Sequence, residues 1–151
     1  MLVKQVVGSV KEMYVLAERV VRDIKPGDVL LLEGELGSGK TTFVQGLART
    51  LGVKDKVTSP TYIIGAEYEA EGEGGIRRLV HIDLYRLSEE EAGREAAVKE
   101  MLDSADKGGR VTVVEWADRL GKSSPKGAWQ LVFLHGQRVS ERVVKIISPK
   151  R

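Results

Sequence analysis

The stretch Glu33 to Phe43, EGELGSGKTTF, sets Gly34, Gly37 and Gly39 within six residues and follows them directly with Lys40, Thr41 and Thr42. So many glycines weaken both a strand and a helix interior. They suit a backbone that must take positive φ and let a ligand approach without a Cβ in the way. Gly34-x-x-x-x-Gly39-Lys40-Thr41 fits the G-x-x-x-x-G-K-[ST] pattern of a phosphate-binding loop. The loop opens a helix, whose unpaired N–H groups and dipole favour an anion. Gly34, Glu35, Leu36, Gly37, Ser38, Gly39, Lys40, Thr41 and Thr42 are therefore the candidate nucleotide-binding run. Lys40 would reach the outer phosphates as a point charge, and the Thr41 hydroxyl would ligate Mg²⁺, which prefers oxygen. The bland alternative is a glycine-rich connection between strand and helix.

The flanks agree with the loop. Val29 to Leu32 is a short apolar run that suits a strand buried on both faces. Thr41 to Leu51 has helical spacing at Phe43, Val44, Leu47, Ala48 and Leu51, with Gly52 as a stop. Upstream, residues 9 to 23 read as an amphipathic helix, with Ser9 as N-cap and Glu12 placed for a capping box. KPGD, residues 25 to 28, is a turn. Downstream, residues 61 to 70 read as a strand, EGEGG (71 to 75) as a hairpin turn, and Ile76 to Tyr85 as its partner. Residues 88 to 103 read as helical with a break near Gly93. VTVVEW (111 to 116) is a buried strand, and GAWQLVFLHG and RVVKIIS make a final pair. Strand, glycine loop, helix and later buried strands give an α/β fold whose sheet has an antiparallel portion.

Composition bounds the rest. At 151 residues with 42% hydrophobic and 30% charged, the chain can bury a core as one domain, residues 1–151. The net charge of +2 is too weak to argue for binding of nucleic acid or membranes through bulk electrostatics. The absence of cysteine excludes disulfides, thiolate metal sites and a cysteine nucleophile. No apolar run approaches the ~20 residues of a membrane helix, and MLVKQVVGSVKEMYVLAERV is interrupted by charges and lacks a small-residue cleavage site. A cytoplasmic protein is expected.

A phosphate-loop enzyme needs an acid near Mg²⁺. Glu115 ends one apolar strand and Asp83 ends another, in HIDLYR (81 to 86), and strand carboxyl ends are where open α/β sheets put ligands. A solvated strand end is the alternative for each. The chain has no Asn, so it lacks the Asn-Lys-x-Asp guanine signature of ordinary GTPases.

Read in order, GELGSGKTTF, SPTY (59 to 62), HIDLYRL (81 to 87) and VVEWADR (113 to 119) resemble the TsaE family, bacterial P-loop ATPases that assist threonylcarbamoyladenosine (t6A) synthesis at position 37 of tRNA. The resemblance implies a three-layer P-loop NTPase-like sandwich around a mixed sheet with parallel core strands. It implies that ATP and Mg²⁺ are the cofactors, with Thr41, Glu115 and Asp83 about the metal and Lys40, Asp83, Glu115 and Thr61 in catalysis. Ser59-Pro60-Thr61 would be a segment like a GTPase switch I, and Asp83 would lie in one like switch II. Ser9 and Val10 would approach the base, where Met13 replaces the family's frequent Thr or Ser. TsaD and TsaB would be the partners, with tRNA reached through them. Two rival functions stay open: a small-molecule kinase, and a nucleotide-gated module that hydrolyses nothing.

Overall fold

The computed structural model describes residues 1–60 and 63–151, so the expected site residue Thr61 lies outside the described residues. Its strands are β1 (Leu2–Val7), β2 (Val29–Gly34), β3 (Gly65–Glu69), β4 (Arg78–Asp83), β5 (Arg110–Glu115), β6 (Trp129–His135) and β7 (Arg142–Ile147). Its helices are α1 (Val10–Asp23), α2 (Lys40–Thr50), α3 (Glu89–Arg94) and α4 (Ala96–Asp103), with a 3₁₀ segment at Ala117–Ser123.

The strands form one sheet in the order β1-β7-β6-β2-β5-β4-β3. Its centre, β6, β2, β5 and β4, is parallel. Its margins are antiparallel, with β7 and β1 on one side and β3 on the other. The expected mixed sheet is thus an inner parallel band with two antiparallel borders.

Successive strand residues face opposite sides, so a strand covered on both faces must be apolar throughout. In β2, Val29, Leu30, Leu31 and Leu32 are all buried. Leu30 and Leu32 join Phe43 and Leu47 of α2 and Leu16 of α1 on one side. Val29 and Leu31 join Val98 of α4 and Leu120 of the 3₁₀ segment on the other. Three layers result. The Phe43 and Phe133 rings meet edge-on at 5.7 Å, an arrangement worth about 0.5–1.5 kcal/mol beyond buried area.

Several boundaries differ from the sequence reading. The strand expected over 61 to 70 begins only at Gly65, and its partner is confined to Arg78–Asp83. The helical region does break near Gly93, at Glu95, which is extended with ψ 110°. The N-terminal strand β1 was not anticipated, because all its residues but Val7 are polar or exposed, as an edge strand permits. Ser9 caps α1 as expected by accepting from the Glu12 amide, but Glu12 turns its carboxylate to the Gly8 amide, 2.7 Å away, instead of to Ser9.

Candidate functional site

The loop between β2 and α2 has the backbone that only glycine tolerates. Gly34, Gly37 and Gly39 all have positive φ. A Cβ at Gly34 would lie 2.6 Å from the Phe133 carbonyl oxygen, and one at Gly39 would lie 2.8 Å from Met13 Cε. Gly39 caps α2 with no side-chain acceptor. Among the described residues the Gly37 and Gly39 amides have no backbone acceptor, which leaves donors at a helix N-terminus for an anion.

Lys40 is buried, and its ammonium donates to the Gly34 carbonyl at 2.5 Å, the Glu35 carbonyl at 2.9 Å and Ser38 Oγ at 3.3 Å. The Trp116 ring covers it, its centroid 4.2 Å from Nζ. Burial pushes the Lys40 ammonium below its ordinary pKa, while the carboxylates of Glu115, Asp83 and Asp118 pull it back up. Its acceptors are neutral, so an arriving phosphate would exchange ordinary hydrogen bonds for charge-assisted ones.

Glu115 sits at the carboxyl end of β5 with both oxygens engaged. Oε1 accepts from Thr41 Oγ1 at 2.7 Å, and Oε2 lies 2.5 Å from Nε2 of the fully buried His81. His81 Nδ1 is buried with no partner among the described residues. The pairing with a carboxylate calls for the proton on Nε2. His81 thus orients Glu115 from within the sheet. Register places Asp83 directly across from Glu115. Asp83 Oδ2 accepts from Ser59 Oγ, and Oδ1 accepts from the Tyr85 amide at 2.9 Å. Ser59 is thereby joined to the second acid.

These groups border a cavity of about 760 Å³. Leu36, Gly37, Ser38, Gly39, Lys40, Thr41 and Thr42 line it, as do Ser9, Val10, Asp83 and Glu115. Gly34 and Glu35, also in the expected run, contribute their carbonyls to Lys40. Met13 lines it too, packed beneath Gly39.

Trp116 takes φ 58° and ψ 40°, a left-handed backbone uncommon outside glycine. That turn directs the chain out of β5 and lays the ring against Tyr85, centroids 5.0 Å apart. Arg119 donates to the Leu87 carbonyl at 2.5 Å and so ties down the loop after β4, a structural role. Ser140 and Arg142 also line the cavity. No motif marks them in the sequence, and only the antiparallel return of β7 brings them there.

The donor set suits a hard cation. A threonine hydroxyl and a carboxylate converge at 2.7 Å with a second carboxylate opposite. No group of three or more His, Asp or Glu gathers as a metal cluster among the described residues. Among the described residues no helix is long and apolar enough to cross a membrane.

A family model described as threonylcarbamoyl adenosine biosynthesis protein TsaE matches residues 7–144. The tRNA threonylcarbamoyladenosine biosynthesis protein TsaE of Bacillus subtilis is 38% identical over 123 residues, 82% of this chain and 72% of that protein. Its Streptomyces coelicolor counterpart is 40% identical over 68% of this chain. The Aquifex aeolicus protein of the same description is 44% identical over 57% of it. These last two alignments span 66% and 64% of those relatives, slightly under two thirds. The crystal structure of Bacillus subtilis YdiB superposes with a TM-score of 0.75 at 31% identity, covering 99% of this chain and 87% of that one.

Proposed function

This chain belongs to the TsaE family, and on that premise we propose that it serves tRNA threonylcarbamoyladenosine biosynthesis as an ATP-binding, slowly hydrolysing helper to TsaD and TsaB. The observation that carries this is the convergence of Lys40, Thr41, Glu115 and Asp83 on one cavity at the carboxyl ends of β2, β5 and β4.

In this reading the Gly37 to Thr42 backbone wraps the phosphates. Lys40 leaves the Gly34 and Glu35 carbonyls for the outer phosphate oxygens, where its charge stabilises the transferring group. Thr41 and Glu115 would hold Mg²⁺ with Asp83 beside them, and the ion would supply positive charge to the phosphate oxygens. His81 fixes the Glu115 rotamer. The ring pair Trp116 and Tyr85 screens the Lys40 side of the cavity from water. Ser9 and Val10 border the end towards the base.

The two carboxylates of the site are already occupied: Glu115 by Thr41 and His81, Asp83 by Ser59 and the Tyr85 amide. In this reading those bonds orient both carboxylates towards the metal, and the group that positions an attacking water would come from a docked partner. A slow enzyme that a docked partner completes is the turnover this reading expects.

Phosphate release from Mg²⁺-ATP, by the protein alone and with TsaD and TsaB, tests this. Partner stimulation that disappears in Lys40→Ala is expected. Equal rates with and without partners would contradict the helper role. The engaged carboxylates also favour a gated binding module as the second reading, and an ATP pool left intact after long incubation with both partners would decide for it.

A further inference from the structure

Arg142 begins β7, yet its guanidinium crosses 105 residues of sequence to the glycine loop. Nε and Nη2 both donate to the Gly37 carbonyl, at 3.1 and 3.0 Å. Nη1 donates to the Val139 carbonyl at 2.6 Å and to the Glu141 carbonyl at 2.9 Å. The Gly37–Ser38 peptide is therefore held on both sides, because the Ser38 amide donates to the Glu35 carbonyl at 3.1 Å. The Arg142 stem packs over the loop, with Cγ 4.0 Å from where a Cβ on Gly39 would stand.

Every acceptor of this guanidinium is a neutral carbonyl. No carboxylate among the described residues pairs with it, and the adjacent Glu141 turns its own carboxylate to the Gln137 amide. An arginine that keeps its full charge at the wall of a phosphate cavity, with only backbone oxygens as partners, is suited to an anion. Asp83 and Glu115 border another part of the same cavity.

We propose that Arg142 is a nucleotide-affinity residue of this site, pinning the tip of the glycine loop and adding a second positive charge for the polyphosphate. This rests on the nucleotide reading above and extends it to a residue outside the loop signature. It acts on binding: the fork keeps Gly37 and Ser38 in the shape that receives an anion, and the charge favours triphosphate over the bare nucleoside.

The test is competition of ATP and of adenosine against a fluorescent ATP analogue, for wild type, Arg142→Gln, Arg142→Lys and Lys40→Ala, each with a thermal melt. Arg142→Gln should weaken ATP about tenfold and adenosine by less than about twofold. Arg142→Lys should recover part of that loss, since it restores the charge without the fork. Wild-type ATP affinity in Arg142→Gln, with Lys40→Ala failing to bind, would overturn the proposal and leave the nucleotide reading intact. Equal losses for ATP and adenosine in both Arg142 variants would overturn it as well, reducing Arg142 to a structural tie. Failure of the wild type to bind ATP at all would instead refute the nucleotide reading. Should Arg142→Gln not fold, the Arg142→Lys ratio of ATP loss to adenosine loss decides the question in the same way.

Discussion

Glu33, one residue before the first loop glycine, shows how the neighbourhood of the site acts on a single group. On β2 it shares the face of Leu31, towards α4 and the 3₁₀ segment, where burial and then the negative charge of Asp118 push its carboxyl above the ordinary value. The folded protein therefore holds this proton to a higher pH than the unfolded chain does. Stability contributed by the protonated form is present at low pH and is lost as pH rises through the folded value. Glu33→Gln, which cannot ionise, should melt higher than wild type at pH 7, and the difference should vanish near pH 4. The rise is small, on the order of a degree, because the carboxyl is part-exposed and screened. Melting curves at the two pH values check it, and a larger benefit at the lower pH would reverse the assignment.

Among the elements, the crossing of α1 and α2 supports the loop from behind. Gly46 makes it possible. A Cβ there would lie 2.8 Å from Tyr14 Cδ1, 3.0 Å from Ala17 Cβ and 3.1 Å from Tyr14 Cα. In an isolated helix Gly→Ala would gain about 1 kcal/mol. Here the overpacking wins, since the Tyr14 backbone cannot step aside without tilting α1 and its residues Val10 and Met13 at the cavity. Gly46→Ala should lose about 1–3 kcal/mol in urea unfolding. A gain in stability would show that the two helices pack more loosely than these distances say. The same crossing explains why Met13 is buried beneath Gly39 although it stands where a polar base contact was sought.

At the scale of the whole molecule, the cavity gathers the end of β1, the start of α1, the glycine loop, the ends of β4 and β5, and the start of β7. Those pieces span the chain from Val7 to Arg142. A ligand held there braces the parallel centre and one antiparallel border together, so it should stabilise the fold as a unit. At a hundredfold excess over its dissociation constant, Mg²⁺-ATP should add about 2.7 kcal/mol. That corresponds to a rise of roughly 5–10 °C in the melting midpoint. Removing magnesium with a chelator should shrink the rise, and Lys40→Ala should abolish it. A shift that persists undiminished in the variant would place the ligand elsewhere.

What could be read from the chain alone was whatever short spacing encodes. The glycine loop, its flanking strand and helix, the N-cap at Ser9 and the strand-end acids Asp83 and Glu115 all rest on backbone conformation or periodicity within about a dozen residues. The order of SPTY, HIDLYR and VVEW carried the family, and the family match and the fold agree with it. The edge strand β1 escaped because Lys4 and Gln5 interrupt its apolar run and its stability comes from pairing with β7 at the other end of the chain. Only the tertiary structure put His81 behind Glu115, Trp116 over Lys40, and Arg142 on the Gly37 carbonyl. Such contacts depend on strand order and register across the sheet. No local periodicity records either, because they are settled by which faces the assembled layers must bury.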